Sequence, residues 1–307
     1  MDIYLAGSSH KGFNPWMQDR GYNKLMSYVY DKNSVKKWCE YEKEHGNKGS
    51  KLFIDSGAFT MWTRGKEINV DEYISWINEY SDYISLYGQI DSIPGDIKTG
   101  ATQEQVQEAA EKTWENYLYM RPKMKNPDGL LYTFHVGEPY EFLEQALNWR
   151  DENGNKIKYM ALGGMVGKPK PVKEDFLTRC YNIIHKSSNP NIKVHAFGMT
   201  SLDLLEKYPL TSADSTGWLM TAMTGSIFTN YGTVCLSERT EENTNNFVNL
   251  EEAKQKTVLN YIQQNGFTYE QLRTDRYDRE KINAIYLHIW ADKYVYKEPR
   301  ARKTHLF

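Results

Sequence analysis

The sequence predicts an α/β fold, a (β/α)8 TIM barrel with a helical C-terminal extension, and three observations lead there. Short apolar β-type runs alternate with longer amphipathic segments, the pattern of β/α units on a parallel sheet. Four of these runs end in a small, acidic or glycine-rich turn: Phe53-Ile54-Asp55-Ser56-Gly57-Ala58-Phe59, Gln89-Ile90-Asp91, Ala161-Leu162-Gly163-Gly164-Met165 and Ser212-Ala213-Asp214-Ser215. No Gly-x-Gly-x-x-Gly turn follows the first strand and no Gly-Lys-Ser/Thr phosphate loop occurs, which weighs against a doubly wound open sheet.

The elements follow in order. Strands are predicted at Ile3 to Ala6, Leu52 to Asp55, Ile84 to Asp91, Leu130 to Val136, Tyr159 to Leu162, Lys193 to Phe197 and Thr211 to Asp214, each a run of the kind buried on both faces. Closing a barrel takes an eighth strand, expected in the less regular stretch Gly225 to Cys235. Between strands, Asp71 to Tyr80 sets Tyr73, Ile74, Ile77 and Tyr80 at helical spacing, and Gln103 to Met120 is rich in helix formers. Glu138 to Trp149 repeats apolar residues at Phe142, Leu143, Ala146 and Leu147, and Glu174 to His185 and Leu202 to Glu206 follow the same logic. Leu250 to Gln264 and Tyr269 to Trp290 make a helical end. Residues 1–248 are therefore expected as the catalytic barrel, and 249–307 as a helical extension packed on it rather than an independent domain. The polar stretch Ser237 to Asn246 has almost nothing to bury and is expected to be a mobile loop.

A chain of 307 residues is long enough for a large core. No apolar stretch approaches the length of a bilayer span, and the first residues lack the basic then apolar build of a secretion signal, so a cytoplasmic setting without membrane contact is expected. Cys39, Cys180 and Cys235 are odd in number and far apart, which gives neither a disulfide framework nor a zinc cluster and leaves them as structural thiols. The net charge of −2 supplies no global attraction to nucleic acid. Any such contact must be local, at Lys168, Lys170 and Lys173 after the Gly-Gly segment or in the tail with Arg300, Arg302 and Lys303. The 23 tyrosines and 8 tryptophans suit stacking surfaces and a well-filled core alike.

Residues just past the carboxyl ends of barrel strands share one rim. One carboxylate there has two ordinary explanations, capping the next helix or pairing with a surface cation. Asp55, Asp91 and Asp214 together point instead to a joint role, because neighbouring carboxylates shift one another's pKa and let one act as nucleophile while another carries a proton. Gly163-Gly164 is either a tight turn or a place where backbone N–H groups approach a carbonyl or flat heterocycle closely. Phe59 and Phe197 either pack or sandwich a planar base, and Trp62 and Trp218 either stack nearby or belong to the core. His135, His195 and His288 match no metal signature, so no metal and no cofactor is expected.

These segments resemble the tRNA-guanine transglycosylase superfamily, base-exchanging TIM barrels. Asp55-Ser56-Gly57-Ala58-Phe59 looks like the Asp-Ser-Gly-Gly-aromatic motif, whose aspartate is the general acid/base. Ala161-Leu162-Gly163-Gly164-Met165 resembles the Gly-Gly-Leu base-recognition loop, and Phe197-Gly198-Met199 with the following helix resembles the Met-Gly-Val-Gly segment. Asp214 then falls at the position of the nucleophile, and Asp91 at that of the aspartate reading the base edge. The likeness runs from about Leu52 to Trp218. Two departures stand out: the tRNA enzymes' Cys/His zinc site is missing, and their Gln of Val-Gln-Gly-Gly is replaced within Phe134-His135-Val136-Gly137, by Val136 or the neighbouring His135. Both departures turn the resemblance toward the DNA-modifying branch, the DpdA-like enzymes of phages and bacterial modification clusters, which insert a preQ0-like 7-deazaguanine into DNA.

What the resemblance implies is a pentosyltransferase exchanging guanine in DNA for a 7-deazaguanine, with Asp214 as nucleophile and Asp55 as general acid/base. Ser56, Phe59, Asp91, His135, Gly163, Gly164, Met165, Phe197 and Gly198 would bind substrate. The partners would be DNA, single-stranded or with its guanine flipped out, and a free 7-deazaguanine base; a homo-oligomer is compatible with the sequence, and a phage-encoded chain would work in its bacterial host. Three other readings stay open: exchange in tRNA, a metal-dependent TIM-barrel hydrolase or lyase on a nucleoside or sugar phosphate with the aspartates as ligands, and a non-catalytic base- or DNA-binding module.

Overall fold

The structure, a computed structural model, describes residues 1–307 except 8, 9, 11, 97, 200, 239–241 and 297–307. The basic tail therefore lies outside the described residues, as does part of the polar stretch 237–246. Eight parallel strands close a barrel in chain order, with the last strand paired back on the first. They are β1 (Asp2–Ala6), β2 (Asn23–Ser27), β3 (Leu52–Asp55), β4 (Ile84–Gly88), β5 (Leu130–His135), β6 (Tyr159–Gly163), β7 (Lys193–Ala196) and β8 (Ser212–Ser215). Outside them run α1 (Phe13–Gln18), α2 (Lys32–His45), α3 (Ala58–Thr63), α4 (Val70–Glu79), α5 (Gln103–Met120), α6 (Tyr140–Asn148), α7 (Lys170–Lys186), α8 (Leu202–Leu205) and α9 (Gly217–Met223).

The eighth strand is not where the sequence placed it. Gly225 to Cys235 instead forms a separate antiparallel hairpin of β9 (Ser226–Thr229) and β10 (Gly232–Cys235), and the missing barrel strand is β2. Its five residues, Asn23-Lys24-Leu25-Met26-Ser27, contain only two apolar side chains, so it carries no hydrophobic run to read. Lys24 is nonetheless 2 % exposed, its amine lying 5.8 Å and 5.9 Å from the Phe13 and Trp218 ring centres and donating to the Gly7 carbonyl. Burial lowers its pKa to about 8, with the Asp31 and Glu280 charges opposing that shift.

Side-chain alternation along each strand divides the core into two layers. Outward residues meet the helices in the main cluster, which includes Met26, Ile54, Tyr132, Met160 and Val194. Inward residues Tyr4, Phe53, Leu86, Leu131, Tyr159 and Ala161 fill the barrel, with Leu25 and Phe197 against them. Advancing two residues from the inward Phe53 reaches Asp55, two steps from Leu131 reach His135, and two from Tyr159 reach Gly163. The strand period itself therefore brings these residues to one layer at the barrel's C-terminal end.

The C-terminal helices are α10 (Glu252–Gln264), α11 (Tyr269–Thr274) and α12 (Arg276–Lys293). The expected single helix from Tyr269 is broken at Asp275, whose extended backbone (φ −102°, ψ 119°) ends α11 while its carboxylate accepts from the N–H groups of Tyr277 and Asp278 to cap α12. A second hydrophobic cluster joins Ile227 and Val234 of the hairpin to Val258, Ile262, Leu272 and Ile282 of these helices. Through Ala284, Leu287 and Ala291, α12 also enters the main barrel core. All three cysteines are buried and none is in a disulfide. No helix among the described residues is long and apolar enough to cross a membrane.

Candidate active site

Asp55 ends β3, followed by a turn that only glycine adopts easily. Gly57 has φ 76°, and a Cβ there would fall 2.5 Å from Val29 Cγ2. In this conformation the Gly57 N–H donates to Asp55 Oδ2 at 3.1 Å, while the Tyr28 N–H fixes the Asp55 main-chain carbonyl at 2.8 Å. Burial raises the Asp55 pKa to about 7; the charges of Asp91 and Asp214 push the same way and the Gly57 N–H opposes them. Two of the aspartates picked out in sequence thus act electrostatically on the third, Asp55. Beneath them the buried Tyr73 hydroxyl donates to the Gly88 carbonyl at 2.7 Å.

Asp214, in β8, is 7 % exposed. Its Oδ1 accepts the Gly198 N–H at 2.8 Å and lies 3.3 Å from His195 Nε2, whereas Oδ2 has no hydrogen-bond partner among the described residues. Gly198 adopts φ 62°, which points its N–H into the barrel mouth. The phenylalanine before it, Phe197, is half-buried and packs on Phe53 (5.4 Å between ring centres) and His195 (4.6 Å).

Asp91 lies three residues past β4 and belongs to a network the sequence showed only in part. Its Oδ2 is 3.4 Å from His135 Nε2, its Oδ1 accepts from Gln89 Nε2 at 3.2 Å, and His135 Nδ1 is 2.9 Å from Glu138 Oε1. The other Glu138 oxygen accepts the His135 backbone N–H at 3.0 Å. Burial disfavours a cation on His135, but the Asp91 and Glu138 carboxylates outweigh it and hold its pKa well above the ordinary histidine range. The His135 ring is thus held between two carboxylates that favour its protonated form.

Gly163 is kept small by that imidazole. A Cβ on it would fall 2.7 Å from His135 Cδ2 and 3.0 Å from Thr133 Cγ2, and the ring cannot yield without breaking its carboxylate contacts. Gly163→Ala is therefore expected to destabilise the fold by about 1–3 kcal/mol in urea unfolding; an unchanged midpoint would show that the ring can move. Gly164 adopts φ 73°, and its N–H donates to no described residue, so it is free to reach a ligand.

The remaining site residues divide. Ser56 is buried at the β3–α3 turn. Phe59 is 65 % exposed on the outer lip, its ring 5.7 Å from Trp62, so it does not share a packed face with Phe197. Met165 has its side chain fully buried in the main hydrophobic cluster. Trp218 is also a core residue, donating from Nε1 to the Ala6 and Ser215 carbonyls and stacking on Phe13 at 5.3 Å. His288 sits on α12 beside Tyr22 and Asp292, outside this constellation.

A role for Glu138 and Gln89, and the hydrogen bonds that join His195 to Asp214 and Ser212, escaped the sequence reading. Glu138 had a weak signal, a carboxylate three residues after a strand-end histidine. Among the described residues no three His, Cys, Asp or Glu side chains are grouped to hold a metal ion. Chemically, the arrangement offers one carboxylic acid able to exchange a proton near neutrality and one carboxylate with an oriented, unengaged oxygen. The chain matches no protein-family model and no curated protein.

Proposed function

We propose that the chain is a base-exchanging glycosyltransferase that replaces guanine in DNA with a free 7-deazaguanine through a covalent aspartyl-glycosyl intermediate. The observation that carries this reading is the pairing of Asp55, its pKa raised to about 7, with Asp214, whose Oδ1 is occupied and Oδ2 open. Two carboxylates with divided roles are what a double displacement at an anomeric carbon requires.

Asp214 Oδ2 attacks C1′ of the nucleotide, the C1′–N9 bond breaks, and the Asp55 carboxyl gives its proton to the departing guanine. The incoming 7-deazaguanine then loses its N9 proton to the Asp55 carboxylate. Its N9 attacks C1′ as the C1′–Oδ2 bond breaks, so configuration is retained and both aspartates return to their starting states. Asp91 accepts from the purine N1–H and exocyclic amine while the Gly164 N–H donates to O6, contacts that guanine and a 7-deazaguanine share. The target base must leave the stack. Tyr30 and Val166, exposed on the loops after β2 and β6, and Phe59, exposed on α3, give an unpaired strand apolar surface to stack against.

Radiolabelled guanine incubated with the protein and, separately, single-stranded DNA, duplex DNA or tRNA tests the reading. Label is expected in DNA, and not with Asp214→Ala. Incorporation into tRNA alone would move the assignment to the tRNA reaction, and none into either polymer would overturn base exchange in favour of a binding module.

A further inference from the structure

Behind Asp214 the barrel interior holds a polar chain that the mechanism above does not use. His195 is fully buried, walled by Tyr4, Phe53 and Phe197 with ring centres 6.1, 4.7 and 4.6 Å away. Its Nε2 is 3.3 Å from Asp214 Oδ1 and its Nδ1 is 2.6 Å from Ser212 Oγ, which in turn accepts from the Tyr159 hydroxyl at 2.6 Å. Three adjacent strands supply the chain: Tyr159 from β6, His195 from β7, and Ser212 with Asp214 from β8. Such a line of buried hydrogen-bonding groups is unneeded for packing, since apolar residues of similar volume fill barrel interiors at lower desolvation cost.

The donors can be ordered. A carboxylate only accepts, so the His195 proton facing Asp214 must be on Nε2. The lone pair then left on Nδ1 takes the Ser212 hydroxyl proton, and the Ser212 oxygen receives the Tyr159 hydroxyl. Every O–H and N–H in the line points toward Asp214.

We propose that His195 is the positioning residue of the Asp214 nucleophile, oriented in turn by Ser212 and Tyr159, and that it selects Oδ2 as the attacking oxygen and promotes departure of the carboxylate. The proposal rests on the glycosyl-transfer reading. With Oδ1 occupied by two donors, Oδ2 is the oxygen that forms the bond to C1′. In the glycosyl ester Oδ1 is a carbonyl oxygen and a weak acceptor. As the C1′–Oδ2 bond breaks, the electron pair returns to the carboxylate and spreads onto Oδ1, where the His195 and Gly198 donors meet it. His195 therefore matters most in the second half of the reaction.

His195→Phe is expected to lower kcat for guanine exchange into a guanine-containing oligonucleotide by about 100-fold, the scale of one lost donor to developing negative charge. KM for the oligonucleotide should fall together with kcat, because the second half-reaction is the one slowed, and the fraction of protein trapped as covalent adduct on rapid denaturation should rise. His195→Gln, whose amide nitrogen can take the place of Nε2, should restore much of the rate. Tyr159→Phe removes one hydroxyl and should give the same signature at about 10-fold. A purely structural role would lower the amount of active protein without raising the adduct fraction.

The ¹⁵N spectrum of the wild type is expected to show His195 protonated at Nε2. If the wild type exchanges base while His195→Phe and Tyr159→Phe leave kcat and adduct fraction unaltered, or His195 carries its proton on Nδ1 alone, the proposal is overturned. A wild type that exchanges no base overturns the parent reading instead.

Discussion

Asp214→Asn is expected to abolish base exchange, with a rate loss on the order of 10⁴–10⁶-fold, as when a covalent nucleophile is removed. The substitution isolates chemistry from folding. An amide oxygen at Oδ1 can still accept from the Gly198 N–H and His195 Nε2, so the held side of the group survives. On the open side, the unengaged oxygen becomes an NH2 group with no lone pair to offer C1′. The melting temperature should stay within a few degrees, and a denaturing gel should no longer show the protein–DNA adduct. Exchange at the wild-type rate would mean that another atom makes the bond.

The second large effect is expected at Asp55. Asp55→Asn should slow exchange by about 10²–10⁴-fold, the range of a lost general acid/base. In the wild type, the rate of forming the adduct should fall as pH rises through about 7, because that is where the Asp55 carboxyl loses its proton. The stability consequence has the opposite sign from that of a typical ion-paired aspartate. The folded-state pKa lies above the ordinary 3.8, so the folded protein holds this proton more tightly than the unfolded chain does. Stability from this group is full below pH 3.8, declines toward pH 7 and is level above it. Asp55→Asn should therefore stabilise the fold more at pH 8 than at pH 5. The difference is on the order of 2 kcal/mol once residual solvent screening is allowed for. Equal shifts at both pH values would show that the carboxyl is not perturbed by burial.

Much of this site was legible because strand ends in a parallel barrel are punctuated. Asp55, Gly163 and Asp214 each close an apolar run, so their shared rim could be read from spacing alone. Lys24 hid β2 because a buried lysine breaks the apolar pattern, and its amine lies beside the rings of Phe13 and of Trp218, the latter from a distant part of the chain. Met165 read as part of a glycine-rich loop, yet its side chain is buried in the main hydrophobic cluster, which a turn of unknown geometry does not reveal. The His195–Ser212–Tyr159 contacts were out of reach for a further reason. Polar residues scattered through strands look like exposed positions until the register pairs them across neighbours.

The seam that closes the barrel sets when this site can first exist. Asp214 lies opposite Tyr4 where β8 pairs with β1, and Ala291 of α12 receives a hydrogen bond from the Met1 amino group on the same flank. The carboxylate proposed to attack is thus set by a pairing between the first and the last barrel strand, the kind of contact that forms late because the intervening loop entropy must be overcome first. During synthesis, a chain that has not yet reached β8 has Asp55 and Asp91 but neither Asp214 nor the strand pairing that closes the barrel. Onset of adduct formation then marks barrel closure, and a refolding experiment should see helix signal return well before it.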